Sequence, residues 1–158
     1  MNVDVDEDAL PNATLSGRTR SRAVALQALY ELDATEHDLP TVMQRRIEAD
    51  ETPHEAATYA SFLIQGVEAH IREIDGLIAT AAPAWPLDQM AIVDKSILRL
   101  AIFEMLYETG LSAKVAINEA IELAKLFGHD SSPKFVNGVL GTIERQRERP
   151  PRTVQAQG

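Results

Sequence analysis

Residues 90–108, MAIVDKSILRLAIFEMLYE, are apolar around nearly the whole circumference of a helix. Polar side chains are confined to Asp94, Lys95, Ser96, Arg99, Glu104 and Glu108. A helix of this kind is stable in water only when other helices surround it, so the stretch predicts a central helix inside a bundle. Asp88 stands ahead of it as the expected N-cap, with Leu87 and Ile92 spaced as a hydrophobic staple. The remaining chain supplies the wrapping. Val24, Leu26, Ala28, Leu29 and Leu32 form a broad apolar face, and Val42, Met43 and Ile47 mark a short helix. From Pro53 a long helical run supplies Ala56, Tyr59, Ala60, Leu63, Ile64, Val67, Ile71, Ile74 and Ile78, with a break expected near His70. Pro83 and Pro86 bracket Trp85 in a rigid turn. No segment shows the alternation, β-branched richness or hairpin turns of a sheet. The expected fold is an all-α, single-domain bundle of about seven helices.

The 158 residues suffice for one core, and a hydrophobic content of 45% fits a folded chain. With no cysteine in the sequence, disulfides, thiol nucleophiles and thiolate metal sites are excluded. No apolar run reaches the roughly 18 residues of a spanning helix, and the acidic N-terminus does not resemble a signal peptide. A soluble, cytoplasmic protein without membrane contact is expected. The net charge of −9 is unevenly spread. Residues 1–17 carry −4, residues 18–22 carry +3, residues 23–142 carry −10, and residues 143–158 carry +2. A polyanion could therefore be held only on a local patch. Residues 1–17 read as a disordered acidic leader, 18–147 as the helical domain, and 148–158 as a flexible tail.

Catalytic machinery is not legible. His37, His54, His70 and His129 are scattered, and Glu51 and His54 spell a Glu-x-x-His that di-iron bundles need twice. There is no nucleophile elbow, P-loop or dinucleotide fingerprint. Gly138 and Gly141 imitate the Gly-x-x-Gly loop of KH domains, but inside an apolar helical pattern they point to close helix packing. Neither an enzyme, nor a cofactor, nor a metal site is expected. What the sequence does offer is Arg18, Arg20 and Arg22 at the start of a helix. A solvated helix start is the plain reading. Cations at a helix N-terminus are mildly unfavourable, however, and a bound phosphate would accept both backbone N–H groups and arginine.

Residues 113–145 form a second organising stretch. Ile117, Ile121, Ala124 and Phe127 make a helical stripe, Gly128 offers a left-handed stop, and Ser132 with Pro133 offers an N-cap and first turn. Phe135, Val139 and Ile143 make the stripe of the next helix. The run from Lys114 through Ala116, Asn118, Glu119, Ala120, Glu122 and Lys125, then Phe127-Gly128, then Lys134-Phe135-Val136-Asn137-Gly138-Val139-Leu140, resembles the signature of the NusB family. Those proteins are bacterial transcription antitermination factors. The arginine-rich start running into Ala25-Leu26-Gln27-Ala28-Leu29-Tyr30 is similar to the family as well.

The resemblance covers about residues 18–145 and implies a NusB-like fold whose arm binds boxA RNA, a short single-stranded element of ribosomal RNA transcripts. Its implied RNA-binding residues are Arg18, Arg20, Arg22, Gln27, Tyr30, Lys134, Phe135 and Asn137. Single-stranded RNA needs phosphate contacts and rings on which bases stack. The apolar pattern alone would put Phe135 in the core, and leaves Tyr30 open. The resemblance also implies a partner, NusE, a small-subunit ribosomal protein, docking where Asp94 stands as an exposed acid. It implies work within an RNA polymerase antitermination complex, and it admits a homodimer that hides the RNA surface. Two departures stand out: the turn reads His129-Asp130-Ser131-Ser132-Pro133, and the leader is longer and more acidic than the usual arm. The alternatives are a domain like the N-terminal part of ribosomal RNA cytosine methyltransferases, disfavoured because no Rossmann-like domain follows, and a helical protein-interaction module.

Overall fold

The computed structural model describes residues 15–49 and 52–148, and the leader and tail expected at the two ends lie almost entirely outside them. The described chain forms seven α-helices and one 3-10 turn, with no strand among these residues. They are α1 (Gly17–Ala34), α2 (Leu39–Ala49), α3 (His54–Ala69), α4 (Ile71–Ala81), the 3-10 turn Leu87–Gln89, α5 (Ile92–Tyr107), α6 (Ala113–Phe127) and α7 (Ser132–Glu148). The all-α bundle expected from periodicity is thus the observed architecture. None of these helices is long and apolar enough to cross a membrane.

The all-round apolar helix is the axle: α5 packs against α1, α3, α4, α6 and α7. Ile97, Leu98, Leu100 and Ile102 are fully enclosed, and they meet Leu63 and Ile64 of α3, Ile74 and Ile78 of α4, Leu123 of α6 and Leu140 and Ile143 of α7. Each such side chain contributes about 1.5–3 kcal/mol relative to leaving it in water. The long run after Pro53 breaks at His70, whose N–H is shared by the carbonyls of Gly66 and Val67 while its own carbonyl already accepts from Ile74. The α3–α5 contact is close. A Cβ at Gly66 would lie 2.0 Å from the Phe103 ring, so only glycine admits that ring.

Several local expectations are corrected. Asp88 lies in the 3-10 turn and does not cap α5; Ala91 holds the N-cap position without a side-chain bond, so the Leu87–Ile92 staple has no cap to close. Gly128 is extended (φ −91°, ψ −173°) rather than left-handed. What it needs is space, because a Cβ there would meet Ser132 at 2.6 Å. Ser132 sits inside α7, and its hydroxyl accepts from the His129 N–H at 2.9 Å. Gly138 and Gly141 do not serve close helix packing: nothing lies within 4 Å of a Cβ at Gly138, and only Arg145 approaches one at Gly141. The leader boundary also shifts, since Leu15 packs against the core and Gly17 opens α1 at φ 59°, a backbone that glycine adopts without strain.

Candidate nucleic-acid interface

The direction of the helices decides which candidate residues share a region. Arg22 Nε lies 2.8 Å from Glu104, and Lys95 Nζ lies 2.9 Å from Asp33, so α1 and α5 are antiparallel. The short link 108–112 returns the chain along α5 as α6, which therefore runs in the same sense as α1. The two meet where Glu119 takes the Thr19 hydroxyl at 3.4 Å and faces Arg22 at 3.5 Å. Tyr30 and Phe127 each lie eight residues beyond that contact, or about 12 Å along their helices. Gln27 and Tyr30 therefore point toward the end of the bundle where α6 turns into α7.

That end gathers most of the candidates. Tyr30 is 45% exposed, a large ring left in water between the buried Leu29 and Glu31. Gln27 is half-buried beside it, three residues earlier on the same stripe. Lys134 and Asn137 are exposed on the first turns of α7. Phe135 is half-buried and packs on the core, which explains why its periodicity reads as core while part of the ring stays accessible. Trp85 stands edge-on to it, with ring centroids 6.1 Å apart, and is itself 57% exposed. The sequence reading missed Trp85 as a site residue, although two flanking prolines holding an exposed indole were the available signal.

Asp94 belongs to the same end, at the start of α5, but the expected exposed acid is not what is found. It is only 9% exposed, and its Oδ1 has no hydrogen-bond partner. Its neighbours Lys95 and Ser96 are buried too, because every face of the central helix is covered.

The arginine start lies at the opposite end of α1, and its three members divide. Arg18 is the exposed one, its side chain 54% accessible. Its guanidinium stacks 4.2 Å from the centroid of the Tyr59 ring and faces Glu108 at 3.6 Å. Arg20 is half-buried and already engaged in contacts. Arg22 is a correction to the expected arm. At 4% exposure it is buried, donating Nε and Nη2 to the Glu104 carboxylate at 2.8 and 3.0 Å. Burial alone would lower its pKa, but the Glu104 hydrogen bond and charge more than offset that and raise it. Its guanidinium is therefore not presented to solvent for a phosphate.

Glu104, itself 1% exposed, also accepts the Tyr59 hydroxyl. Burial pushes the Tyr59 phenol up, and the bond to Glu104 pushes it further, so it stays protonated. Neither Tyr59 nor Glu104 figures among the sequence-derived candidates. Glu104, one of three acids on an apolar helix, was the available signal, since an acid buried there demands a partner. Beside this network an open groove of about 720 Å³ runs between α1, α3 and the end of α5, lined by Arg18, Ser21, His54, Thr58, Tyr59 and Phe62, among others. The described residues contain no cluster of histidine and carboxylate suited to a metal ion.

The fold and the sequence as a whole have counterparts among known proteins. The model of the NusB family matches residues 19–145. The chain is 50% identical over 135 residues to the transcription antitermination protein NusB of Roseiflexus castenholzii, covering 84% of this chain and 95% of that one. A structure of T. maritima NusB superposes with a TM-score of 0.74 at 33% identity, covering 87% of this chain and 96% of that one. A structure of the antitermination factors NusB and NusE in complex with double-stranded RNA gives a TM-score of 0.75 at 25% identity, over 82% of this chain and 96% of its counterpart. With the match running from Thr19 through the axle helix and the α6–α7 turn to Arg145, the chain belongs to the NusB family.

Proposed function

We propose that the protein is a transcription antitermination factor that binds boxA-type single-stranded leader RNA of ribosomal RNA operons together with NusE. In that complex it suppresses premature termination by RNA polymerase. The observation that carries this reading is the exposed set Tyr30, Trp85, Lys134 and Asn137 at one end of the bundle in a chain of this family. Rings and a cation left in water at one place are what a splayed single strand requires. Arg18, some twelve residues back along α1 from Tyr30, adds a phosphate contact about 18 Å away. Arg22 serves the arm from within, as the buried anchor of the α1 start. The relative whose structure includes NusE and RNA supports both partners, and the acidic body suits a basic ribosomal protein. Asp94 is proposed as the acid at the NusE face, recessed rather than projecting.

The test is a gel shift of a boxA-type RNA with the protein alone, with NusE alone and with both. Cooperative retention by the pair, stronger for the single strand than for a duplex of the same sequence, is the expected result. Equal retention of any RNA, with no gain from NusE, would leave only a helical interaction module.

A further inference from the structure

We infer that Tyr59 is a positioning residue, the platform that presents Arg18 to an RNA phosphate, and that Glu108 is the counter-charge the phosphate displaces. The inference rests on the RNA-binding reading above and adds a mechanism to it. Arg18 is the most exposed member of the arginine start, and a long exposed side chain would ordinarily sample many rotamers. Here the central carbon of its guanidinium lies 4.2 Å from the centroid of the Tyr59 ring. That ring is held from the other side, since Tyr59 donates its hydroxyl to Glu104, the carboxylate that also grips Arg22. Phe62 stacks on Tyr59 with ring centroids 5.8 Å apart and an interplanar angle of 30°.

The chain of contacts runs from a buried ion pair, through a fixed phenol, to a surface cation. Glu104 thus orients Arg18 without touching it. The outer face of Arg18 meets a carboxylate only loosely, with Glu108 at 3.6 Å, longer than a charge-assisted hydrogen bond. A phosphate oxygen can replace that partner while the guanidinium stays on the ring. The other charged groups around it are His54 and Glu55 at the start of α3, Arg22, whose guanidinium lies 6.0 Å from the same ring centroid but is gripped by Glu104, and Glu119 of α6, already engaged by Thr19 and Arg22.

The experiment is a double-mutant cycle read by RNA affinity and its salt dependence. Arg18→Ala should lower the slope of log affinity against log salt by roughly 0.7, one phosphate contact on a single strand. Tyr59→Leu should reproduce part of that loss, weakening binding roughly two- to fivefold, the range of an exposed cation–π contact. In the Arg18→Ala background it should cost almost nothing more. Because Tyr59→Leu removes both the ring and the partner of Glu104 and can fail to fold, a second series keeps the ring and compares variants that all lack the hydroxyl, with Tyr59→Phe as their reference. From Tyr59→Phe onward, increasingly fluorinated phenylalanines at the same position should weaken RNA binding stepwise as the ring face loses negative potential, and only while Arg18 is present. Glu108→Gln should tighten binding.

A fluorination series that leaves affinity flat, with Arg18→Ala still lowering the slope, overturns the positioning role and spares the RNA reading. If Arg18→Ala leaves the slope unchanged, the phosphate contact is absent and the positioning role falls with it, while the RNA reading, which rests on the Tyr30 end, is decided by the gel shift. A merely structural Tyr59 would move the melting temperature across the series without any dependence on Arg18.

Discussion

The two ends of α1 both carry ion pairs, and they differ in what water can reach. At the start, Arg22 and Glu104 are both enclosed, with side chains 5% and 1% exposed. At the far end Glu31 is enclosed at 8%, but the partners that share it, Arg45, Arg46 and His37, are 50%, 36% and 51% exposed. Each carboxylate is gripped by more than one donor: Glu104 by Arg22 and Tyr59, Glu31 by His37, Arg45 and Arg46. The difference lies in the alternative open to each group when its partner is removed. An orphaned Glu104 stays in a dry interior, whereas released Arg45 or Arg46 returns to solvent. The first end is therefore a structural lock and the second a surface clamp tying α2 to α1.

The sharpest way to break this comparison is Glu104→Ala. Removing one partner of a buried pair leaves an uncompensated charge and should cost about 3–5 kcal/mol. Urea unfolding followed by circular dichroism measures it. A loss below about 1 kcal/mol would put Glu104 in the same class as a surface pair, and the contrast between the two ends would collapse.

Asp94 comes next in size. An exposed acid would tolerate replacement within about 0.5 kcal/mol, but a buried one should not. Asp94→Lys is expected to lower stability by about 1–3 kcal/mol through its own misfit. Its effect on NusE binding is then ambiguous, so Asp94→Asn, which preserves shape, is the better probe of the partner face. Calorimetry should show weaker NusE binding by Asp94→Asn at nearly parental stability. Parental NusE affinity would remove Asp94 from the interface.

The clamp at Glu31 gives a smaller, pH-dependent effect. Burial by itself would raise the Glu31 pKa, but hydrogen bonds from His37 and Arg46 and the charges of Arg45 and Arg46 outweigh it and lower the value from 4.5. A carboxyl depressed on folding contributes stability above its unfolded pKa, and loses it as pH falls through the folded value. Glu31→Gln should therefore cost about 1 kcal/mol at neutral pH, the partners being solvent-screened. The gap between variant and parent should close as the pH drops below about 4.5 and Glu31 protonates. A gap that persists unchanged to low pH would mean that shape, not charge, matters at this position.

These contrasts also mark how far the sequence could be read. The axle helix and the α6–α7 hairpin were legible because Ile97, Leu98, Ile102, Leu123, Leu140 and Ile143 repeat at the helical period within their own segments. The division of the arginines was not, since the partner that buries Arg22 lies 82 residues away on α5. One local clue existed: Arg22 stands four and seven residues before Leu26 and Leu29, on the buried stripe of α1. Small residues weaken that stripe as a signal, for Ala23, Ala25 and Ala28 are all fully buried yet scarcely hydrophobic. Asp94 was misread for a related reason. Polar residues on an apolar helix suggest a solvated edge, and only the packing of five neighbouring helices shows that α5 has none.

The smallest expected change in stability carries the clearest functional contrast. Arg18→Ala removes an exposed side chain whose partners are a ring face and a loosely placed Glu108, so unfolding should shift by no more than about 0.5 kcal/mol. The same substitution should remove roughly 0.7 from the salt slope of RNA binding. Arg22 cannot be compared by alanine alone, because an unfolded variant binds nothing. Replacing both members of the lock, Arg22→Met with Glu104→Gln, removes the charge pair while the new amide oxygen can still accept the Tyr59 hydroxyl, so the Arg18 platform is kept. Arg22 is buried and points at Glu104, so this double variant should keep the parental salt slope, while Arg18→Ala loses one contact. Salt titrations of boxA-type RNA binding for the three proteins decide the matter. If the double variant, shown to be folded, also loses a contact, then the RNA draws Arg22 out of its pair, and the lock is itself part of the binding surface.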